Sequence, residues 1–185
     1  ISGLSVFNEI IIPLAGLTLV SQLLISILAN VQLIPKIKES GQMSLFHLCS
    51  LKKSQLFGAL FKPVILFGTW PLLYFMLITI VIAFHTQLDL IRLCVLIITM
   101  FMINFCMSLF LLASSLLASR PLIAFAFSSL FVFLLISFEM SLRFWWSDSP
   151  WHGMFLPYFS LREGMVRFSD IGVYSGWIVL GISCC

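Results

Sequence analysis

The chain has 185 residues, 61% hydrophobic and only 9% charged, and its 10 Lys+Arg against 7 Asp+Glu leave a formal net charge of +3. Soluble domains run closer to half apolar and a quarter charged, so this balance excludes an ordinary soluble enzyme, a disordered tail and a nucleic-acid-binding module. With a mean hydropathy of +1.15, the chain reads as a multi-pass membrane protein or a piece of one.

A membrane-spanning helix needs about 20 apolar residues at ~1.5 Å each. Uncharged runs predict spans at about 10–34, 64–84, 93–118 and 121–138, with a fifth, 171–185, cut by the chain end. Runs this long satisfy their backbone in lipid as helices. The expected fold is therefore all-α, a polytopic transmembrane helix bundle in a single domain over 1–185. The chain opens on Ile1 with no basic segment and cleavage site, so no signal peptide is read. Ile1 and the apolar end at Cys185 are read as a fragment cut at both ends, which makes the span count a lower bound.

Pro63 and Pro121 are expected at the starts of spans, where a lost N–H costs little. Pro13 and Pro71 lie further inside and are expected to kink their helices. Gln22, Asn30, Gln32 and Asn104 fall within or at the ends of spans. They serve interhelical hydrogen bonding or, more sharply, a polar pathway through the bundle. No ionisable residue lies at the centre of a span, which argues against a proton- or ion-coupled carrier.

The basic residues predict orientation. Loop 35–62 and the turn at Arg120 carry six basic and one acidic residue, against four basic and five acidic on the opposite side. Loop 35–62 is accordingly expected in the cytoplasm and segment 139–170 outside. Within the loop, Leu45, Leu48 and Cys49 share a helical face, and Leu56 and Leu60 repeat the spacing. That pattern suits an interfacial amphipathic helix or a helix docking on a cytoplasmic partner equally. Segment 139–170 is too polar to span and too aromatic to be a free loop. Its Trp145, Trp146, Trp151, Tyr158 and Phe159 suit the outer interface as an aromatic belt, ahead of a substrate gate.

Signs of chemistry are few. Cys49, Cys94, Cys106, Cys184 and Cys185 form no CxxC pair and no metal-ligand spacing with His47, His85 or His152. Cys94 and Cys106 are expected as small core residues, and the histidines as solvated or interfacial groups. Lys53-Ser54 lacks the glycines of a phosphate-binding loop, and no Ser/His/Asp or paired-carboxylate arrangement is visible. No catalytic residue, cofactor site or metal site is assigned to the chain.

The order of parts does carry a resemblance. A span ends in a basic loop holding Glu39 and Gly41, and the leucine-rich stretch is matched by Leu45 and Phe46. Lys62 then enters the next span, with Gln42 where Thr is usual and Ser50 where Pro is usual. Two more spans follow, and then Leu156-Pro-Tyr-Phe-Ser-Leu-Arg-Glu-Gly-Met-Val-Arg-Phe-Ser-Asp-Ile-Gly-Val-Tyr174, in which Gly164, Asp170 and Tyr174 carry the match. This resembles the permease subunit of ABC type-2 transporters, the exporter class, and is most similar to the gliding-motility-type branch. The resemblance implies six spans in the full chain. It implies a cytoplasmic coupling helix with Glu39, Gly41, Leu45, Phe46 and Leu48 against an ATP-binding subunit. It also implies an outer re-entrant segment with Trp145, Trp146, Trp151, Gly164, Asp170 and Tyr174.

Further implications are a second permease copy or paralogue, contact with membrane lipid, and a place in the cytoplasmic (inner) membrane of a bacterium. ATP and magnesium would be bound by the partner subunit, so this chain would not itself be an enzyme. The alternative reading is a subunit of another integral-membrane complex, or an intramembrane enzyme, with no ATPase partner.

Overall fold

The computed structural model describes residues 6–42, 53–86, 89–118, 120–145 and 169–184. Among the described residues five α-helices follow one another: α1 (Ile12–Glu39), α2 (Lys53–His85), α3 (Leu90–Leu117), α4 (Pro121–Trp145) and α5 (Ser169–Cys184). No strand occurs among the described residues. Four of the helices are long and apolar enough to cross a membrane, and Tyr174–Ser183 of α5 forms a shorter apolar helix. The chain is thus an α-helical bundle of the multi-pass membrane type. Leu45, Phe46, Leu48, Cys49, Trp146, Trp151 and Gly164, and most of the expected outer segment, lie outside the described residues.

A π-helical turn, Phe7–Ile11, leads into α1, with the N–H of Ile12 bonded to the Phe7 carbonyl. The wider turn gives room where the ring of Pro13 would otherwise meet the carbonyl four residues before it. Pro13 therefore stands at the start of α1 rather than as a kink in its interior.

The other end of α1 is closed by Gly41, whose φ of +70° is the left-handed conformation of a helix stop. The Ser40 N–H donates to Lys36 O at 3.0 Å, and the Gly41 N–H to Lys38 O at 3.2 Å. A Cβ at Gly41 would meet no neighbour, so Gly41→Ala strains only the backbone. It is expected to cost about 1 kcal/mol, read as a small fall in the thermal unfolding midpoint.

α3 is the most enclosed span, with 67% of its apolar window buried, against 50% for the first span, 22% for α2 and 17% for α4. It packs on α1, α2, α4 and α5, and α1 also packs on α2 and α4. Two contacts set α1 and α3 side by side. Ser26 Oγ donates to Asn104 Oδ1 at 3.2 Å, and Lys38 Nζ donates to Leu116 O; both join residues 78 positions apart. A constant offset means parallel helices in register, as alternating spans require.

Lys38 also donates to Ala118 O at 3.0 Å. It thereby satisfies the carbonyls left over at the C-terminus of α3, where a cation is favoured. Lys38→Met is expected to cost about 1–2 kcal/mol and to fray the end of α3, seen as faster amide exchange around Ser115. At the opposite end, Asp89 caps α3 by accepting from the N–H groups of Ile91 and Arg92, and pairs with Arg92 Nε at 3.3 Å.

α2 corrects the expected layout. It starts at Lys53, so Pro63 sits well inside it and not at its start. The stretch around Leu56 and Leu60 is its first turns and not a separate surface helix. Leu60 and Phe61 are buried with Ile34, Leu109 and Leu112, and Leu56 and Phe57 pack against the same group. Phe61 stacks on Phe57 and meets Phe105 edge-on, each with ring centroids 5.3 Å apart. Pro121, by contrast, opens α4 as expected, and the Ala124 N–H closes the first turn on Arg120 O at 2.9 Å.

Candidate functional site

The strongest concentration of chemistry is a polar seam where α1, α2 and α3 meet. On α1, Thr18, Gln22, Ser26 and Asn30 recur every fourth residue, and all four are buried. A four-residue step advances about 40° beyond a full turn of an α-helix, so they form a slowly winding stripe. Asn104 and Ser108, one turn apart on α3, face the same interior and are buried as well. All of them lie within the apolar lengths of their helices, with no Asp, Glu, Lys or Arg among them.

The contacts inside the seam are few. Ser26 bridges to Asn104, and Asn30 Nδ2 donates to Ser26 O at 2.9 Å. Thr18 Oγ1 donates to Leu14 O at 2.8 Å, within its own helix. Gln22 Nε2 and Oε1, Asn30 Oδ1, Asn104 Nδ2 and Ser108 Oγ are buried with no hydrogen-bond partner. In a hydrocarbon surrounding, each such group costs several kcal/mol.

α2 covers the seam through a glycine. A Cβ on Gly68 would lie 2.5 Å from Ser26 Oγ and 2.6 and 2.9 Å from the two terminal atoms of the Asn104 amide. Only glycine lets α2 approach this closely. Gly181 does the same for α5, where a Cβ would lie 2.9 Å from Leu109 Cβ. A further hydroxyl pair, Ser114 with Ser128 at 3.0 Å, ties α3 to α4.

An open groove of about 460 Å³ lies between α1 and α2, lined by Leu17, Ser21, Trp70, Tyr74 and their neighbours. The Ser21 hydroxyl donates to Thr18 O at 2.8 Å, so the groove presents a mostly apolar wall. Leu17, Trp70 and Tyr74 are exposed there.

Gln22, Asn30 and Asn104, picked out from the sequence, are brought together by the fold. Gln32, picked out with them, is exposed and stands apart. Ser26, Ser108 and Gly68 escaped the sequence reading, although the four-residue recurrence of polar groups through 18, 22, 26 and 30 was visible there. Glu39 is the last residue of α1 and exposed, and Gly41 is its stop. Trp145 ends α4 and Asp170 lies in the first turn of α5.

Tyr174 is buried in α5, 7% exposed, as part of the main core. Of the cysteines, Cys106 is a core residue as expected, whereas Cys94 is exposed on the outer side of α3. Position 94 points away from its neighbours Leu93 and Leu96, which carry the packing. His85 ends α2 and is exposed. Among the described residues, no group of three His, Cys, Asp or Glu could hold a metal ion.

No family model, no curated protein and no solved structure matches the chain.

Proposed function

We propose that the chain is the membrane-spanning permease subunit of an ATP-driven transporter of the ABC type-2 class, of the gliding-motility-type branch. It would work with a separate ATP-binding subunit and a second permease copy or paralogue in the inner membrane of a bacterium. The observation that supports this best is the order of parts. α1 runs on beyond its apolar length to a stop at Glu39 and Gly41, and a short stretch holding Leu45, Phe46 and Leu48 precedes α2. Only three residues, 118–120, separate α3 from α4, and a Trp-rich segment precedes the short apolar α5. That is the sequence of elements in the permeases the chain resembles.

In this reading, segment 43–52 contains the coupling helix. Leu45, Phe46 and Leu48 would dock on the ATP-binding subunit and carry nucleotide-driven closure into the bundle. The rigid link is α2, whose first turns are packed into the second core through Leu60 and Phe61. A push on segment 43–52 would therefore reach α1 and α3 directly. The neighbouring reading frames test the reading. A protein with a phosphate-binding loop of the Walker type is expected beside this one, and its absence together with full function of the chain alone would contradict the proposal.

A further inference from the structure

The five unpartnered atoms of the seam share one requirement. Gln22 Nε2, Asn104 Nδ2 and the Ser108 hydroxyl need acceptors, while Gln22 Oε1 and Asn30 Oδ1 need donors. Gln22 and Asn104 are 1% exposed, and Asn30 and Ser108 are 0% exposed. Lipid, a second copy or a partner chain does not reach atoms enclosed this completely. What satisfies them must sit inside the bundle and must both give and accept hydrogen bonds. It must also be uncharged, because no ionised side chain in the seam would compensate a charge there. It must be small, because Gly68 already brings α2 within contact of Ser26 and Asn104.

We propose that the seam is a binding site for internal water, a short hydrated track along α1 and α3 from the level of Gln22 to that of Ser108. Water is the neutral donor–acceptor that fits, and buried water in proteins typically bonds about three otherwise unsatisfied groups. The track stands on the buried atoms alone and is independent of the transporter reading. It sets a polar stripe alongside the main apolar core, where Leu23, Ile27, Ile103 and Met107 are buried at the same level.

Millisecond X-ray hydroxyl-radical footprinting of the full chain in lipid nanodiscs tests this. Radicals generated from bound water oxidise residues that bulk solvent does not touch. Met100 and Met107 share the α3 face of Asn104 and are both 0% exposed. Both are expected to be oxidised. After mixing with ¹⁸O-water, their uptake of label is expected to lag behind that of free methionine in the same sample. Gln22→Leu removes no hydrogen bond of its own, so the fold is expected to survive it, and most of the oxidation at Met100, which the register of α1 and α3 sets level with Gln22, is expected to disappear.

Unoxidised Met100 and Met107 in the wild-type protein would overturn the proposal. So would ¹⁸O uptake in step with free methionine, which would mean access from bulk solvent. Undiminished oxidation in a folded Gln22→Leu variant would overturn it too. If that variant does not fold, the isotope lag in the wild-type protein decides alone.

Discussion

Gly68→Ala is expected to lower the thermal unfolding midpoint of the purified protein by roughly 5–10 °C. The new methyl carbon would lie 2.5 Å from Ser26 Oγ and 2.6 Å from Asn104 Oδ1, well inside contact distance. Neither neighbour can retreat easily, because both are buried between helices. Overpacking of this kind costs about 1–3 kcal/mol. Losing the Ser26–Asn104 bond adds about 1 kcal/mol and leaves two more polar groups unpaired.

A control lies in the same helix. A Cβ at Gly58 would meet nothing within 4 Å, so Gly58→Ala only exchanges a poor helix former for the best one. It is expected to raise stability by up to about 1 kcal/mol. Opposite signs for one substitution at two glycines of α2 would locate the close approach at Gly68. Equal effects would mean that α2 does not touch the seam there.

Leu45→Asp combined with Phe46→Asp is expected to abolish ATP-driven transport while leaving the bundle folded. Each side chain, if seated in an apolar groove of a partner, contributes about 1.5–3 kcal/mol through burial. Replacing both with carboxylates forfeits that and adds a desolvation cost. Affinity for the ATP-binding subunit should therefore fall by roughly two to three orders of magnitude. The unfolding midpoint should stay within a degree or two of the wild type. The packed start of α2 rests on Leu60 and Phe61. Transport unaffected by both carboxylates would remove segment 43–52 from the coupling path.

Much of the bundle was legible because its spans are long and uncharged. The runs 93–118 and 121–138 became α3 and the apolar part of α4, and Pro121 marked a true helix start. Pro63 misled because a proline after a charged loop looks the same whether it opens a helix or sits inside one. What decided the matter was tertiary. Leu56, Phe57, Leu60 and Phe61 found Ile34, Leu109 and Leu112 to pack on, and that burial carried the helix through the proline. The same contacts turned leucines that resembled a membrane-surface face into core residues.

The seam was half legible. An amide side chain within an apolar run stands out, so Gln22, Asn30 and Asn104 were found. Ser26, Ser108 and Gly68 did not stand out, since small residues are common in membrane helices and only their neighbours give them meaning. Gln32 shows the limit of position along the chain. It is two residues from Asn30, about 200° around the helix, and so faces out while Asn30 faces in. Cys94 went the same way, one residue from a core position. Gly41 was singled out only for a family resemblance, and its part in ending α1, with a left-handed φ, was not read from the sequence.

The proposed function turns on partnership with an ATPase. The direct measurement is to express the complete gene with its neighbours, purify the tagged chain in mild detergent, and identify what comes with it. An ATP-binding subunit is expected in stoichiometric amount, and is expected to be lost from the Leu45→Asp, Phe46→Asp variant. A folded chain that purifies alone, with no ATP-binding subunit bound or encoded beside it, would contradict the transporter assignment and leave the polar seam as the property of a different membrane complex.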